Sequence, residues 1–209
     1  MAKVNKILFA GHSHSRRLDS FMRGRHDLRN FKLPTNEANI QVFGIGGLKI
    51  TDLLHSNEKG QLMFDFIGRF RPDALILSIG DNDIGNGSSI EVILRNYIRL
   101  VNRIRSAFPF ISNLVFTQIL PRHGRADKND YNEQAHKLNS RLFNFAQQSS
   151  FVFMKYLGFP FSQDEDKKTQ FESMRRFYLD DCIHLTPAGY HKLWRALRHL
   201  AIKYKNKLA

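Results

Sequence analysis

Residues 6–15, with the sequence KILFAGHSHS, join an apolar run to a polar turn and to the start of a helical pattern. The run KILFA (6–10) has the length and composition of a buried strand, and Gly11 ends it. Helical spacing of apolar residues then continues through Ser15–Arg25. A strand that passes through a glycine turn into a helix is typical of a parallel α/β fold.

The same alternation recurs along the chain. Further short apolar runs are predicted as strands at 39–44, 74–80, 113–120 and 151–154. Helical segments are predicted at Leu48–Phe70, Ser89–Phe108, Tyr131–Ser149 and Pro187–Tyr204. Strands alternating with helices predict a doubly wound α/β sheet of about five parallel strands. We expect one domain over residues 1–209, because a chain with 42% hydrophobic residues can bury one sizeable core.

Positive charge is in large excess and is unevenly distributed. The chain has 32 Lys and Arg against 19 Asp and Glu, which gives a net charge of +13. Residues 92–126 contain six Arg and no acid, and residues 191–209 contain six Lys or Arg and no acid. Two basic faces are therefore predicted, one of them a helical stripe of Arg95, Arg99 and Arg103. They suit nucleic acid, an anionic membrane surface or an acidic substrate, and ordinary solvated helix faces are the alternative.

Signs of secretion or membrane insertion are lacking in the sequence. The single cysteine, Cys182, excludes an internal disulfide, and the N-terminal apolar run is too short for a signal peptide. No window reaches the roughly 18 consecutive apolar residues of a membrane-spanning helix. We expect a soluble, cytoplasmic protein without a transmembrane segment.

Tyr156–Asp181 is the segment most typical of a loop. It mixes Gly, Pro, a charge cluster and several Phe without clear periodicity. A segment of this length is often a lid or a binding loop, and a surface insertion with one short helix is the equally supported alternative.

Polar residues follow the ends of three predicted strands and precede the last helix. They are Gly11-His12-Ser13, Gly44-Ile45-Gly46-Gly47, Gly80-Asp81-Asn82-Asp83 and Asp181-Cys182-Ile183-His184. In a doubly wound sheet the functional groups collect beyond the carboxyl ends of the strands. Taken singly, each of these motifs is more often turn chemistry than a site. Together they supply every group that acyl transfer needs, at one edge of the sheet.

Acyl transfer needs a hydroxyl nucleophile, a base, a carboxylate that orients the base, and donors for the oxyanion. Ser13 is the candidate nucleophile, His184 the base and Asp181 the orienting carboxylate. The backbone N–H groups of Ser13 and Gly47 and the side chain of Asn82 are the candidate oxyanion donors. Thr186 and Pro187 after His184 predict an N-cap and first helical residue, which would anchor the base beside a rigid helix.

These motifs resemble the blocks of the SGNH (GDSL-type) hydrolase family. FAGHSHS resembles the first block, GIGG the second, GDND the third and DDCIHLTPAGY the fifth. The resemblance runs from the first strand to the last helix. It implies a flavodoxin-like three-layer α/β/α sandwich, and hydrolysis of acetyl, short-chain or lipid esters through an acyl intermediate on Ser13. It implies no metal and no cofactor.

One position departs from the family pattern. The family usually has Asp between the Gly and the Ser of the first block, and this chain has His12. With Arg16 and Arg17 at the start of the first helix, His12 is a candidate for binding an anionic part of the substrate. GHSHSRRL and GDND are also similar to the esterase domains of some LINE-type retrotransposon proteins, a resemblance that implies nucleic acid nearby.

Two other functions are open at this point. A metal site at His12, His14 and His184 is disfavoured, because alternate residues of a turn point apart and no acidic or Cys ligand accompanies them at zinc-like spacing. A nucleic-acid-binding module that uses its basic helices, with catalysis silent or secondary, is the main alternative to an esterase. The sequence does not identify the acyl group, the alcohol or the oligomeric state.

Overall fold

One parallel sheet contains all five predicted strand regions. The computed structural model describes residues 4–55, 57–127, 130–156, 158–163 and 165–207. The strands are β1 (Asn5–Gly11), β2 (Ala38–Gly44), β3 (Ala74–Ser78), β4 (Asn113–Thr117) and β5 (Val152–Met154). Their order across the sheet is β2-β1-β3-β4-β5, and every pair is parallel. The predicted α/β class and number of strands are confirmed.

Helices connect the strands and cover both faces of the sheet. They are α1 (Ser13–Arg23), α2 (Ile50–His55), α3 (Glu58–Phe70), α4 (Asp81–Gly85), α5 (Ile90–Ala107), α6 (Tyr131–Ala146), α7 (Lys168–Ser173) and α8 (Pro187–Lys207). Short 3-10 segments lie at His26–Lys32, Gly124–Ala126, Glu165–Lys167 and Met174–Phe177.

The sheet separates two hydrophobic clusters. Successive strand residues alternate between them: Leu8 and Leu75 pack with α2, α3, α5 and α6, while Ile7 and Ile76 pack with α1 and α8. Strand side chains point to opposite faces with a period of two, so each buried strand contributes to both clusters. The result is the expected three-layer α/β/α sandwich.

Several helical boundaries differ from the sequence prediction, and two of the differences lie near the candidate site. The segment predicted as one helix over Leu48–Phe70 is two helices, because Asn57 caps α3 by accepting the Gly60 N–H at 3.0 Å. Residue 56, between them, lies outside the described residues. α1 begins at Ser13 rather than at Ser15, so the candidate nucleophile is the first residue of the helix.

The segment Tyr156–Asp181 packs onto the body of the protein. Tyr156, Phe159, Phe171 and Tyr178 are buried in it, and it carries the short helix α7. Residues 157 and 164 lie outside the described part. The aromatic side chains, spaced irregularly along the segment, are what anchor it.

Candidate active site

A chain of hydrogen bonds links Ser13, His184 and Asp181. The Ser13 Oγ lies 3.1 Å from the His184 Nε2, and the His184 Nδ1 lies 2.7 Å from the Asp181 Oδ2. Ser13 and His184 are half-buried, so the hydroxyl is within reach of a ligand. With Nδ1 donating to the carboxylate, Nε2 is the ring nitrogen left to accept a hydrogen bond from the Ser13 hydroxyl.

Backbone donors hold the Asp181 carboxylate in place. Its Oδ1 accepts the N–H groups of Ile183 and His184 at 2.9 and 2.8 Å. Burial alone would raise the pKa of Asp181, but the hydrogen bonds from His184 and from these N–H groups lower it to about 2. The carboxylate is therefore ionised at neutral pH and can orient the imidazole.

The start of α8 anchors this loop. The Thr186 Oγ1 accepts the Gly189 N–H at 3.2 Å, which confirms the predicted N-cap, and Pro187 is the first helical residue. Cys182 between the acid and the base is buried and has a left-handed backbone, with φ at 60°. The turn thereby directs the side chains of Asp181 and His184 toward each other.

Ser13 is the first residue of α1, where no side chain of the N-cap residue bonds to the N–H groups of the first turn. The N-cap residue His12 makes no side-chain cap, and the first turn of α1 contains no acid. The first four N–H groups of a helix have no intrahelical acceptor, and they favour an anion. α1 also lies very close to β2, since a Cβ built on Gly44 would be 2.1 Å from the Arg16 N. Glycine at this position lets the helix start directly above the sheet.

The second and third motifs meet in one loop. This loop, residues 45–49, is named here the oxyanion loop after the role predicted for Gly47, and α4 holds Leu48 within it and Ile50 directly after it. The Asn82 Nδ2 donates to the Leu48 O at 2.9 Å, and the Ile50 N–H donates to the Asp83 carboxylate at 3.1 to 3.3 Å. Asn82 has a second amide hydrogen to offer. Gly47 is exposed with φ at 70°, a conformation that glycine adopts without strain.

Asp83 has a structural role that the sequence did not indicate. Its side chain is 3% exposed, and burial raises the pKa of the carboxyl to about 6, although the Ile50 N–H opposes this. The residue therefore ties the start of α2, directly after the oxyanion loop, to α4 without facing the solvent.

His12 faces a buried ion pair instead of the solvent. Its Nε2 lies 3.8 Å from the Asp81 Oδ2, and the Asp81 Oδ1 accepts from the Arg122 Nη2 at 2.9 Å. Burial lowers the pKa of His12, although the Asp81 carboxylate opposes this. Burial would raise the pKa of Asp81, but His12 and the Arg122 guanidinium lower it. Arg122 is thus the permanent counter-charge in this cluster, and His12 has little surface left for a ligand.

His14 is enclosed on the other side of Ser13. Its ring lies 5.3 Å from that of His12 and 5.7 Å from that of His184, and its Nδ1 lies 3.4 Å from the Tyr190 Oη. Burial, followed by the charges of His12 and other neighbours, lowers the pKa of His14 to about 3. The imidazole is consequently neutral near Ser13.

The two arginines predicted to bind an anion have different surroundings. Arg16 is exposed, and its guanidinium lies against Gly46 of the oxyanion loop. Arg17 is half-buried on α1, where its charge lowers the pKa of Tyr190, which burial raises. The roles of Asp81 and Arg122 were missed in the sequence analysis, because their contact joins elements that are far apart in the chain.

Searches for two other features gave negative results within the described residues. No group of three or more His, Cys, Asp or Glu side chains is arranged to hold a metal ion there. No helix in those ranges has both the length and the apolar character needed to cross a membrane.

Comparison with known proteins identifies the class. The model of the GDSL-like lipase/acylhydrolase family matches residues 10–192. That range covers most of the chain and includes the residues of all four motifs, so this protein belongs to the GDSL-like lipase/acylhydrolase family, a family of hydrolases that act on esters. No curated protein matches the chain in sequence.

Solved structures share the fold. The chain is similar to a GDSL-like lipase from Bacteroides thetaiotaomicron, with 18% identity and a TM-score of 0.64 over 96% of this chain and 89% of that one. It is also similar to a catalytic mutant of an acetylxylan esterase from Geobacillus stearothermophilus, with 15% identity and a TM-score of 0.64 over 96% of each chain. At these identities the likeness concerns the fold. The comparisons give no support to the narrower resemblance to retrotransposon proteins.

Proposed function

We propose that the protein is a serine esterase that hydrolyses carboxylic esters through Ser13, His184 and Asp181. The observation that carries the proposal is the continuous chain of hydrogen bonds from the Ser13 Oγ through the His184 ring to the Asp181 Oδ2. A structural serine at a turn has no need of a base that is itself oriented by a carboxylate. Acetyl or other short-chain esters are the first candidates, since an acetylxylan esterase shares the fold, and lipid esters are the second.

The first half of the reaction forms an acyl-enzyme. The Ser13 Oγ attacks the ester carbonyl carbon while the His184 Nε2 takes the hydroxyl proton. Negative charge develops on the carbonyl oxygen, which accepts hydrogen bonds from the Ser13 N–H, the Gly47 N–H and the Asn82 side chain. The C–O bond to the alcohol then breaks, and the His184 Nε2 returns the proton to the departing alcohol oxygen.

The second half repeats these steps with water. The His184 Nε2 takes a proton from a water molecule, whose oxygen attacks the acyl carbon, and the bond to the Ser13 Oγ breaks. The carboxylic acid leaves and the serine regains its proton from His184. Asp181 stays ionised throughout, because the hydrogen bonds from His184 and from two backbone N–H groups lower its pKa to about 2.

Hydrolysis of a series of p-nitrophenyl esters, from acetate to long-chain acyl groups, tests the proposal. We expect turnover by the wild type and a fall in kcat/KM on the order of 10³-fold or more in Ser13→Ala, without a change in Tm. Ser20→Ala is the matched control, since Ser20 is an exposed serine on the same helix. The chain-length profile then distinguishes short-chain from lipid esters.

A fluorophosphonate that labels active serines gives a second readout. Mass spectrometry should find the adduct on Ser13 in the wild type and in Ser20→Ala. Full esterase activity in Ser13→Ala, or labelling at another serine, would overturn the proposal.

A further inference from the structure

Two cationic side chains lie directly against the glycines of the oxyanion loop. A Cβ built on Gly46 would be 3.3 Å from the Arg16 Cζ and 3.4 and 3.5 Å from its two terminal nitrogens. A Cβ built on Gly47 would be 3.2 Å from the Lys59 Nζ. The guanidinium and the ammonium group therefore occupy the space that side chains would fill at these two positions.

Arg16 is held in this position by the helix that carries the nucleophile. It lies three residues after Ser13 on α1, and residues at i and i+3 are neighbours on a helix surface. The close approach of α1 to Gly44 fixes the Arg16 backbone. The guanidinium is consequently on the same side of the helix as the Ser13 hydroxyl and reaches toward the oxyanion loop.

Lys59 comes from a different element. It lies in the first turn of α3, whose N-cap Asn57 donates to the Asp52 Oδ1 at 2.6 Å. α3 also packs tightly on α2, since a Cβ built on Gly60 would be 2.0 Å from the Asp52 O. The backbone that carries Lys59 is therefore fixed against the end of the oxyanion loop.

Both cations lack a compensating charge within the described residues. Both side chains are exposed, and no carboxylate pairs with either one in the part of the chain that the structure describes. The nearby Asp52 is already engaged by the Lys49 N–H and by Asn57. Arg23 on the same helix as Arg16, by contrast, pairs with Asp19 at 2.6 Å.

The two cations indicate a preference among ester substrates, and this inference rests on the proposed function. We propose that the substrate is an ester that carries a carboxylate or phosphate group close to the ester bond, and that Arg16 and Lys59 bind this anion. The guanidinium offers paired donors to a carboxylate or phosphate, and the ammonium offers a point charge. The glycines of the loop leave the anion free access to both cations.

Matched esters with and without the anion test this preference. The first pair is 4-acetoxybenzoate and its methyl ester, with 4-acetoxyphenyl phosphate as the phosphate arm. The second pair places the charge on the acyl side, as mono-4-nitrophenyl adipate against 4-nitrophenyl hexanoate. Release of the phenol is followed by chromatography. The ester with the lowest KM identifies the type of anion and shows whether the acyl group or the alcohol carries it.

Arg16→Gln and Lys59→Gln should each raise the KM for the favoured anionic ester about fivefold, the size of one partly exposed ion pair. The KM for the neutral partner and kcat for both should stay unchanged. Arg69→Gln is the matched control, because it removes one charge from the far end of α3. High salt should weaken the preference of the wild type and leave that of the double variant unchanged.

Binding separates this proposal from the proposed function. In the Ser13→Ala background, calorimetry measures the affinity for uncleaved 4-acetoxybenzoate, 4-acetoxyphenyl phosphate and the adipate ester. Weaker binding on substitution of Arg16 or Lys59 supports the anion site even if no ester is hydrolysed. Equal binding of anionic and neutral esters, or a preference that survives both substitutions, overturns it, whereas absence of hydrolysis alone overturns only the proposed function.

Discussion

The imidazole of His14 adjoins the proposed nucleophile and is surrounded by ionisable groups. His12, His184, Asp81 and Arg122 all act on it, and its Nδ1 faces the Tyr190 hydroxyl. Burial dominates these effects, so the pKa of His14 falls to about 3. A charged imidazole this close to His184 would repel positive charge on the His184 ring, and the neutral ring avoids this.

A buried neutral histidine makes folding sensitive to acid. Below its ordinary pKa of 6.5 the imidazole of His14 takes up a proton in the unfolded chain, whereas the folded protein resists protonation down to about pH 3. The unfolded state thus binds more protons in this window, and the free energy of unfolding falls as the pH falls. For this one residue the loss between pH 8 and pH 5 is about 2 kcal/mol.

Urea unfolding at pH 8 and pH 5 measures this loss. We expect His14→Gln to lose about 2 kcal/mol less than the wild type between the two pH values. His199→Gln serves as the control, because His199 is an exposed histidine on α8. If the difference in stability between the wild type and His14→Gln is the same at both pH values, the folded protein does not hold His14 neutral, which would contradict this prediction.

At the scale of elements, the site depends on how closely α1 approaches β2. A Cβ on Gly44 would be 2.1 Å from the Arg16 N and 2.8 Å from the Arg16 Cα. Both are backbone atoms, which cannot move without displacing the whole helix. The position of Ser13 relative to His184 is therefore set by the absence of a side chain at the end of β2.

Gly44→Ala should consequently lower both stability and activity. We expect a loss of roughly 2 kcal/mol or more, because overpacking against backbone forces the helix outward, and a lower kcat/KM because Ser13 moves with the helix. Gly24→Ala is the control, since no atom lies within 4 Å of its built Cβ, and its effect should stay within about 0.5 kcal/mol. Thermal unfolding and p-nitrophenyl acetate hydrolysis provide the two readouts. Unchanged values in Gly44→Ala would show that α1 can shift freely.

The elements that sequence reasoning found are those with a strong local signal. The strands were predicted because buried parallel strands are short, continuously apolar runs bounded by turn residues. The break between α2 and α3 was missed, since the cap at Asn57 lies inside an otherwise helical pattern. The helix α4 was also missed, because Asp81, Asn82 and Asp83 are typical of a turn.

The same distinction applies to the candidate site. Ser13, Asp181 and His184 could be proposed because each lies at a predicted strand end or helix start, and the structure brings their side chains into one hydrogen-bonded chain. The contacts of Arg122 with Asp81 and of Lys59 with Gly47 were not predictable, because they join residues separated by other elements. Such contacts depend on the packing of helices onto the sheet, which periodicity does not specify.

At the scale of the whole molecule, the charge of +13 is divided between opposite sides of the sheet. α5 packs with one hydrophobic cluster and α8 with the other. On α5, Arg95 and Arg99 are exposed, but Arg103 lies over the Phe64 ring and is half-buried. The predicted stripe is therefore shorter than its spacing suggested.

The face that includes α8 also carries a groove with cationic side chains. This groove, beside the start of α8, is lined by Arg25, His191, Lys192 and Arg195, together with Phe177. His199 and Lys203 continue the exposed row one and two turns beyond Arg195. The four Lys and Arg side chains along this row, Arg25, Lys192, Arg195 and Lys203, would contact about four phosphates of a single strand.

We therefore expect weak, sequence-independent binding of single-stranded RNA. A plot of the logarithm of the association constant against the logarithm of the salt concentration should have a slope of about −3, since each phosphate contact contributes about −0.7. Fluorescence anisotropy at several salt concentrations measures the slope. Lys192→Gln with Arg195→Gln should reduce its magnitude by about 1.4, whereas Arg95→Gln on the opposite face and Ser13→Ala should not change it. A slope near −6 would require both faces to bind at once. Loss of binding in Ser13→Ala would place the nucleic acid in the site of the proposed esterase. Either result would contradict this division of charge.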